Sequence, residues 1–217
     1  MRTIVIGDCH GQPHLIENAL RHSDFDRKQD RLVFAGDLVD IGYQEDICLK
    51  LLLENDATIL MGNHDVAMIL GQYVHPQNGS RDVGFEKWYE RIDKYVAVAV
   101  DGVLVTHAGL SFEAHHDIFG DDRPGVGEIA RKLNHCDIRR LYRCYHGPLW
   151  YRPTKAKLWY NGFKQVAGHT PVRYAENLVK PLSLVGFYMV DPYYPGWSRK
   201  SFRYAEIVDG NVEVFSK

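Results

Sequence analysis

The sequence predicts an α/β fold forming one domain over residues 1–217, and three observations carry that expectation. Short β-branched or aliphatic runs alternate with segments of helical spacing from the N-terminus to Leu70. Each run ends in a glycine beside a polar residue, and no linker, repeat or low-complexity tract divides the chain. With 45% apolar and 25% charged residues in 217, a chain of this size buries roughly 70% of its unfolded surface on folding.

The elements follow in order. Ile4-Val5-Ile6 reads as a strand closing in Gly7-Asp8, and Leu15, Ile16, Ala19 and Leu20 after Pro13 as a helix. Leu32 to Ala35 is a second strand, ending in Gly36-Asp37 and followed by a helix bearing Ile47, Leu49 and Leu51 to Leu53. A third strand, Ala57 to Met61, ends in Gly62-Asn63 and leads into Val66 to Leu70. This βα alternation implies parallel strands, whose carboxyl ends form the binding edge. Asn78-Gly79-Ser80 is a turn and Glu86 to Lys94 a helix candidate. Val96 to Val100 and Val103 to Thr106 form a hairpin about Asp101-Gly102, the second strand ending in His107. Residues 111–150 read as a small helical cap or insertion with one helix over Gly127 to Arg143. Strands resume at Gln165 to Ala167 before Gly168-His169, at Leu182 to Val190, and at Tyr204 to Val208 and Val212 to Phe215 about Asp209-Gly210.

Composition excludes several classes of function. Twenty-six Lys and Arg against 28 Asp and Glu leave a net charge of −2, which argues against dedicated nucleic-acid binding. Cys9, Cys48, Cys136 and Cys144 include no CxxC pair and are too sparse for a disulfide framework. The apolar run near the N-terminus is far shorter than a signal-peptide core of about 7–15 residues, and no stretch approaches the ~20 of a membrane span. The expected compartment is the cytoplasm, with no membrane partner.

Five strand ends carry a metal-capable or acid/base residue: Asp8 and His10, Asp37, Asn63 and His64, His107, and His169. One Gly-Asp at a strand end is more often a turn than a ligand, but five successive strand ends are not explained by turn chemistry. Carboxylate, imidazole and one amide oxygen suit two divalent ions among Mn, Fe, Co, Ni and Zn, and not calcium, which prefers oxygen alone. Adjacent histidines diverge on a helix or strand, so His115-His116 does not read as a chelate, and His14, His22, His75, His135 and His146 read as surface or cap residues.

Gly7-Asp8-Cys9-His10-Gly11, Gly36-Asp37-Leu38-Val39-Asp40-Ile41-Gly42, Gly62-Asn63-His64-Asp65, His107-Ala108-Gly109 and Gly168-His169-Thr170 stand in the order of the calcineurin-like metallophosphoesterase superfamily. The chain resembles its PPP-type phosphatases, particularly the compact bacterial and phage serine/threonine protein phosphatases. The resemblance implies a β-sandwich core flanked by helices. It implies two divalent ions, manganese first: Asp8 and His10 on one, Asp37 bridging, and Asn63, His107 and His169 on the other. A bridging hydroxide would attack phosphorus in line, His64 would protonate the leaving oxygen with Asp40 orienting it, and Arg152 and Asn63 would contact substrate. The substrate implied is a phosphomonoester, above all phosphoserine, phosphothreonine or phosphotyrosine in a protein. A dinucleoside polyphosphate hydrolase or phosphodiesterase is the alternative, and a non-catalytic binding module comes third.

Two departures from the family pattern stand out. Ile41 replaces a phosphate-holding Arg, so that Arg81 or Arg173 could fill in or the substrate could supply binding energy elsewhere; Asp65 replaces the usual Glu. The aromatic residues Trp150, Tyr151, Trp159, Tyr160, Tyr193, Tyr194 and Trp197 read first as packing and second as a stacking groove.

Overall fold

The computed structural model describes residues 1–76, 83–153, 162–171, 186–192 and 200–217. Its elements run β1 (Thr3–Ile6), α1 (Pro13–His22), β2 (Arg31–Phe34), α2 (Glu45–Glu54), β3 (Thr58–Ile59) and α3 (Asn63–Ile69), which is the expected βα alternation. There follow α4 (Val83–Glu90), β4 (Ala97–Val100), β5 (Val103–Thr106), α5 (Phe112–Phe119), α6 (Val126–His135) and α7 (Ile138–Arg143). The described chain ends with β6 (Lys164–Ala167), β7 (Phe187–Met189), β8 (Arg203–Val208) and β9 (Asn211–Ser216).

The strands form two sheets, β3-β2-β1-β8-β9 and β4-β5-β6-β7. β1, β2 and β3 are parallel, with Ile4 opposite Leu32 and Phe34 opposite Ile59, and the β8–β9 hairpin closes that sheet antiparallel to β1. In the second sheet β4 and β5 form the expected antiparallel hairpin and β5, β6 and β7 run parallel. Asp101 and Gly102, at φ 47° and 78°, take the left-handed pair of conformations that a two-residue hairpin turn requires.

Side chains alternate across each strand, and this alternation builds the layers. Val5, Val33 and Ala35 share one buried cluster with Val103, Val105, Val166 and Val190 of the second sheet. Ile4, Ile6, Leu32 and Phe34 point the other way, onto Leu15 and Ile16 of α1 and Leu49 and Leu52 of α2. On the far side, Ala97 and Leu104 pack against Ala114, Ile129, Leu133 and Leu141 of α5, α6 and α7. The result is a sandwich of two sheets with helices on both outer faces. Residues 111–150 supply the helical layer over the second sheet.

Four elements differ from expectation: α4 runs Val83–Glu90 rather than Glu86 to Lys94, and α5 is a helix beyond the one expected in residues 111–150, started by Ser111 Oγ accepting from Ala114 N. The single helix over Gly127 to Arg143 is two, because Cys136 is extended (φ −70°, ψ 148°) and the Asp137 carboxylate accepts from Arg139 N at 2.9 Å, capping a new helix. β3 is shorter than Ala57 to Met61, with Leu60 bridging instead to Tyr95. The Asn78-Gly79-Ser80 turn and the first part of the Leu182 to Val190 strand lie outside the described residues.

Candidate metal centre

The strand ends converge on the Asp37 carboxylate. Its Oδ2 lies 3.4 Å from His107 Nε2 and 3.6 Å from His10 Nε2. Two groups of donor atoms share it: His10, Asp37 and His64 form one, Asp37, His107 and His169 the other, and within each the atoms lie within 4.8 Å of one another.

Backbone carbonyls set the direction of the imidazoles. His107 Nδ1 donates to Ala35 O at 2.9 Å, His169 Nε2 to Trp150 O at 3.2 Å and His10 Nδ1 to Val39 O at 2.7 Å. Each bond turns the other ring nitrogen inward, where it offers a lone pair to an ion when that nitrogen carries no proton. His107 Nε2 therefore faces His169 Nδ1 at 3.1 Å and Asn63 Oδ1 at 3.0 Å, with Asp37 Oδ2 close by. A proton on His107 Nε2 can hold these atoms together, and once it leaves they present four lone-pair donors to one cation. Ligands held ~2.0–2.1 Å from one ion in a tetrahedral shell stand about 3.3 Å apart, so these separations fit a bound divalent metal.

His64 is placed differently. Its Nδ1 donates to Asp40 Oδ2 at 2.7 Å, leaving Nε2 as the free nitrogen beside His10 and Asp37. Asp8 stands outside both close groups. Its carboxylate accepts His169 N with both oxygens, at 2.9 and 3.1 Å, and lines the same cavity. That cavity has a volume of about 290 Å³, and Arg152 lines it while donating from Nη1 to His169 O at 2.8 Å.

The backbone at the site is held in uncommon conformations. His10, Asp37, Asp40, Ile41 and His169 all have left-handed φ, from 44° to 69°. Such conformations cost of order 1–3 kcal/mol each, and the β-branched Ile41 is the most strained among them. A Cβ at Gly62 would strike the Asp37 carboxylate, and one at Gly168 would strike that of Asp8. These glycines exist to let two carboxylates lie on the backbone.

Burial and charge together set the protonation states. Burial pushes Asp8 and Asp191 up, and each is pushed further by a neighbouring carboxylate. Asp37 is also buried, but His107, His64 and His10 around it hold it well below the usual carboxylate range. Burial opposes a charge on His107, yet Asp37 and Asp8 raise it to about 9. Burial brings His10 down to about 4 and, helped by Arg152 and His107, lowers His169 as well. His64, opposed by burial, is raised by Asp37 and by its bond to Asp40.

A model of the family described as calcineurin-like phosphoesterase matches residues 1–193. The chain belongs to the calcineurin-like phosphoesterase family. A symmetrical bis(5'-nucleosyl)-tetraphosphatase of Actinobacillus pleuropneumoniae serotype 5b (strain L20) is 30% identical over 126 residues, 52% of this chain and 47% of that one. Serine/threonine-protein phosphatase 1 of Salmonella typhimurium is 33% identical over 101 residues, 46% of each chain. The chain thus matches about half the length of these curated relatives. Among solved structures, the cold-active protein-tyrosine phosphatase of a Shewanella species has the same fold, with a TM-score of 0.61 at 18% identity over 98% of this chain and 80% of that one.

Within this calcineurin-like phosphoesterase, the role of Asp65 is visible only in three dimensions. Fully buried, it accepts from Asp37 N (2.8 Å), Leu38 N (3.0 Å), Val39 N (3.3 Å) and Gly62 N (2.8 Å). The shorter side chain therefore still ties the loop after β2 to the start of α3. Asp191, at the end of β7, is 4% exposed and lines the cavity as a third carboxylate beside Asp8 and Asp37. His75, read from sequence as a surface residue, lines the cavity too. Cys9 is a buried filler, and His115 is buried in α5, stacked on Phe119. Arg81, Arg173, Trp159, Tyr160, Tyr193, Tyr194 and Trp197 lie outside the described residues.

Proposed function

We propose that the chain is a metal-dependent hydrolase of phosphomonoesters, acting on phosphoserine, phosphothreonine or phosphotyrosine in proteins. The observation that carries this reading is a cavity lined by His10, Asp37, His64 and His169, where two donor groups share Asp37 and adjoin the hydrogen-bonded pair His64–Asp40. Asp8, His10 and Asp37 would hold one ion, and Asp37, Asn63, His107 and His169 the other, manganese being the first candidate. Bound there, two divalent ions supply Lewis acidity toward phosphate oxygens and a water of lowered pKa.

The protein's own side chains do the rest. Arg152 offers a planar fork of donors that suits two phosphate oxygens, and Asn63 carries an amide beside them. His64, kept protonated by Asp40, delivers its Nε2 proton to the leaving oxygen as the phosphorus–oxygen bond breaks, so that an alcohol departs rather than an alkoxide. Asp40 fixes the tautomer and balances the imidazolium charge.

Hydrolysis of a dinucleoside tetraphosphate is the second reading, favoured by the similarity to the Actinobacillus tetraphosphatase. Against it, the described wall of the cavity carries one guanidinium and no lysine, a sparse provision for a polyphosphate chain. The deciding experiment measures phosphate release by metal-stripped protein resupplied with Mn²⁺. Its substrates are p-nitrophenyl phosphate, phosphopeptides, bis(p-nitrophenyl) phosphate and diadenosine tetraphosphate, with His64→Ala as control. Monoester turnover that collapses in the variant supports the first reading. Turnover confined to the tetraphosphate or the diester supports the alternative, and metal binding without any turnover would mean a binding module.

A further inference from the structure

We propose that His75 is a substrate contact, its imidazole N–H donating to an oxygen of the phosphoryl group held in the cavity; this rests on the phosphoesterase reading above. The path of the chain puts it there. α3 starts at the site with Asn63 and His64 and ends seven residues on, where Gly71 N and Gln72 N donate to Met68 O and Ala67 O. Gly71, at φ 63°, turns the backbone, Val74 is buried as an anchor, and His75 and Pro76 arrive on the cavity wall that Ile41 and Arg152 also line.

The chemistry of the wall gives the residue its task. Four histidines line the cavity, and three are committed: His10 to Val39 O, His64 to Asp40 and His169 to Trp150 O. His75 is exposed and its ring has no hydrogen bond to another described residue. Three carboxylates, Asp8, Asp37 and Asp191, face the same space; bound ions would offset those that ligate them, and donors on the wall would add to the hold on an entering phosphate dianion. Ile41 offers none. Apart from the histidines already committed, the described side-chain donors on this wall are Arg152 and His75. A phosphoryl group engaged by Arg152, with Asn63 and His64 on the metal side, thus meets His75 as the further described donor on the open wall, and the ligand recognised is a tetrahedral oxyanion, as ester or as free phosphate.

The test titrates inorganic phosphate calorimetrically into Mn²⁺-loaded wild type, His75→Ala and His75→Gln, with metal content measured in each, alongside steady-state hydrolysis of p-nitrophenyl phosphate. A contact made equally in ground and transition states predicts phosphate binding weakened roughly tenfold in His75→Ala, KM raised by a similar factor and kcat within about twofold. Metal content should be unchanged, and His75→Gln, which keeps an N–H, should recover most of the affinity. Phosphate affinity in His75→Ala within about twofold of wild type would overturn the assignment, as would a wild type that binds no phosphate. A wild type that binds phosphate but hydrolyses no ester would sink the functional reading alone, because the titration would still decide on His75.

Discussion

The His64–Asp40 pair is where a single side chain has most to lose. The carboxylate accepts from Nδ1 at 2.7 Å and helps to raise the imidazole above its ordinary value against the cost of burial. A general acid works while protonated, so kcat should fall as pH rises through that raised pKa. Asp40→Asn should lower kcat by about 100-fold and move this alkaline limb to lower pH, measured as a kcat–pH profile. An unmoved limb would mean that another group donates the proton. Asp65 makes a second prediction at this scale. In Asp65→Asn an NH₂ replaces one carboxylate oxygen and faces backbone N–H groups, leaving a buried donor unpaired at a cost of about 1–3 kcal/mol. Chemical denaturation should register that loss; stability equal to wild type would contradict the role given to the carboxylate.

At the scale of elements, the site is a set of strand ends held close by glycines. Gly168 shows this most simply, because its backbone is not in a left-handed conformation and an added Cβ meets only the Asp8 carboxylate at close range. Gly168→Ala should weaken Mn²⁺ binding by more than roughly tenfold while leaving the circular dichroism spectrum unchanged, a prediction that calorimetry checks. What could be read from sequence at this scale was local chemistry. Asp101-Gly102 and Asp209-Gly210 specify their hairpins by themselves, and β-branched or aliphatic runs closing in Gly-polar turns locate β1, β2 and β6. The break between α6 and α7 was missed because roughly periodic apolar residues ran through it, although Asp137 carried a capping signal. Asp65, Asp191 and His75 acquire their roles only when separate elements approach, Asp65 through backbone donors 26 to 28 residues away and His75 through the return of the chain after α3. No local pattern announces such contacts. The ligand positions were legible because each sits at a strand end inside a recognisable motif, whereas their mutual geometry was not.

Over the whole molecule, two sheets packed face to face bring the ends of strands from both together, and buried charge accumulates where they meet. The metal-free centre balances Asp37, held ionised, against His107, whose pKa is raised to about 9. A divalent ion must displace the protons held on its ligands, that of His107 and that of the raised Asp8 among them, so apparent Mn²⁺ affinity should rise with pH below about 9. Because the ion binds the folded chain, Mn²⁺ at 100 times its dissociation constant should also add about 2.7 kcal/mol of stability, read as a rise in Tm. An affinity independent of pH would contradict ligation by protonated His107 and Asp8.

The most direct test of the central claim is phosphate release from a phosphopeptide by protein stripped of metal and resupplied with Mn²⁺, run beside diadenosine tetraphosphate and His64→Ala. Two ions sharing Asp37, with His64 as proton donor, predict monoester turnover that requires the metal and falls at least about 100-fold in the variant. Turnover that persists without metal, or that His64→Ala leaves intact, would contradict the account.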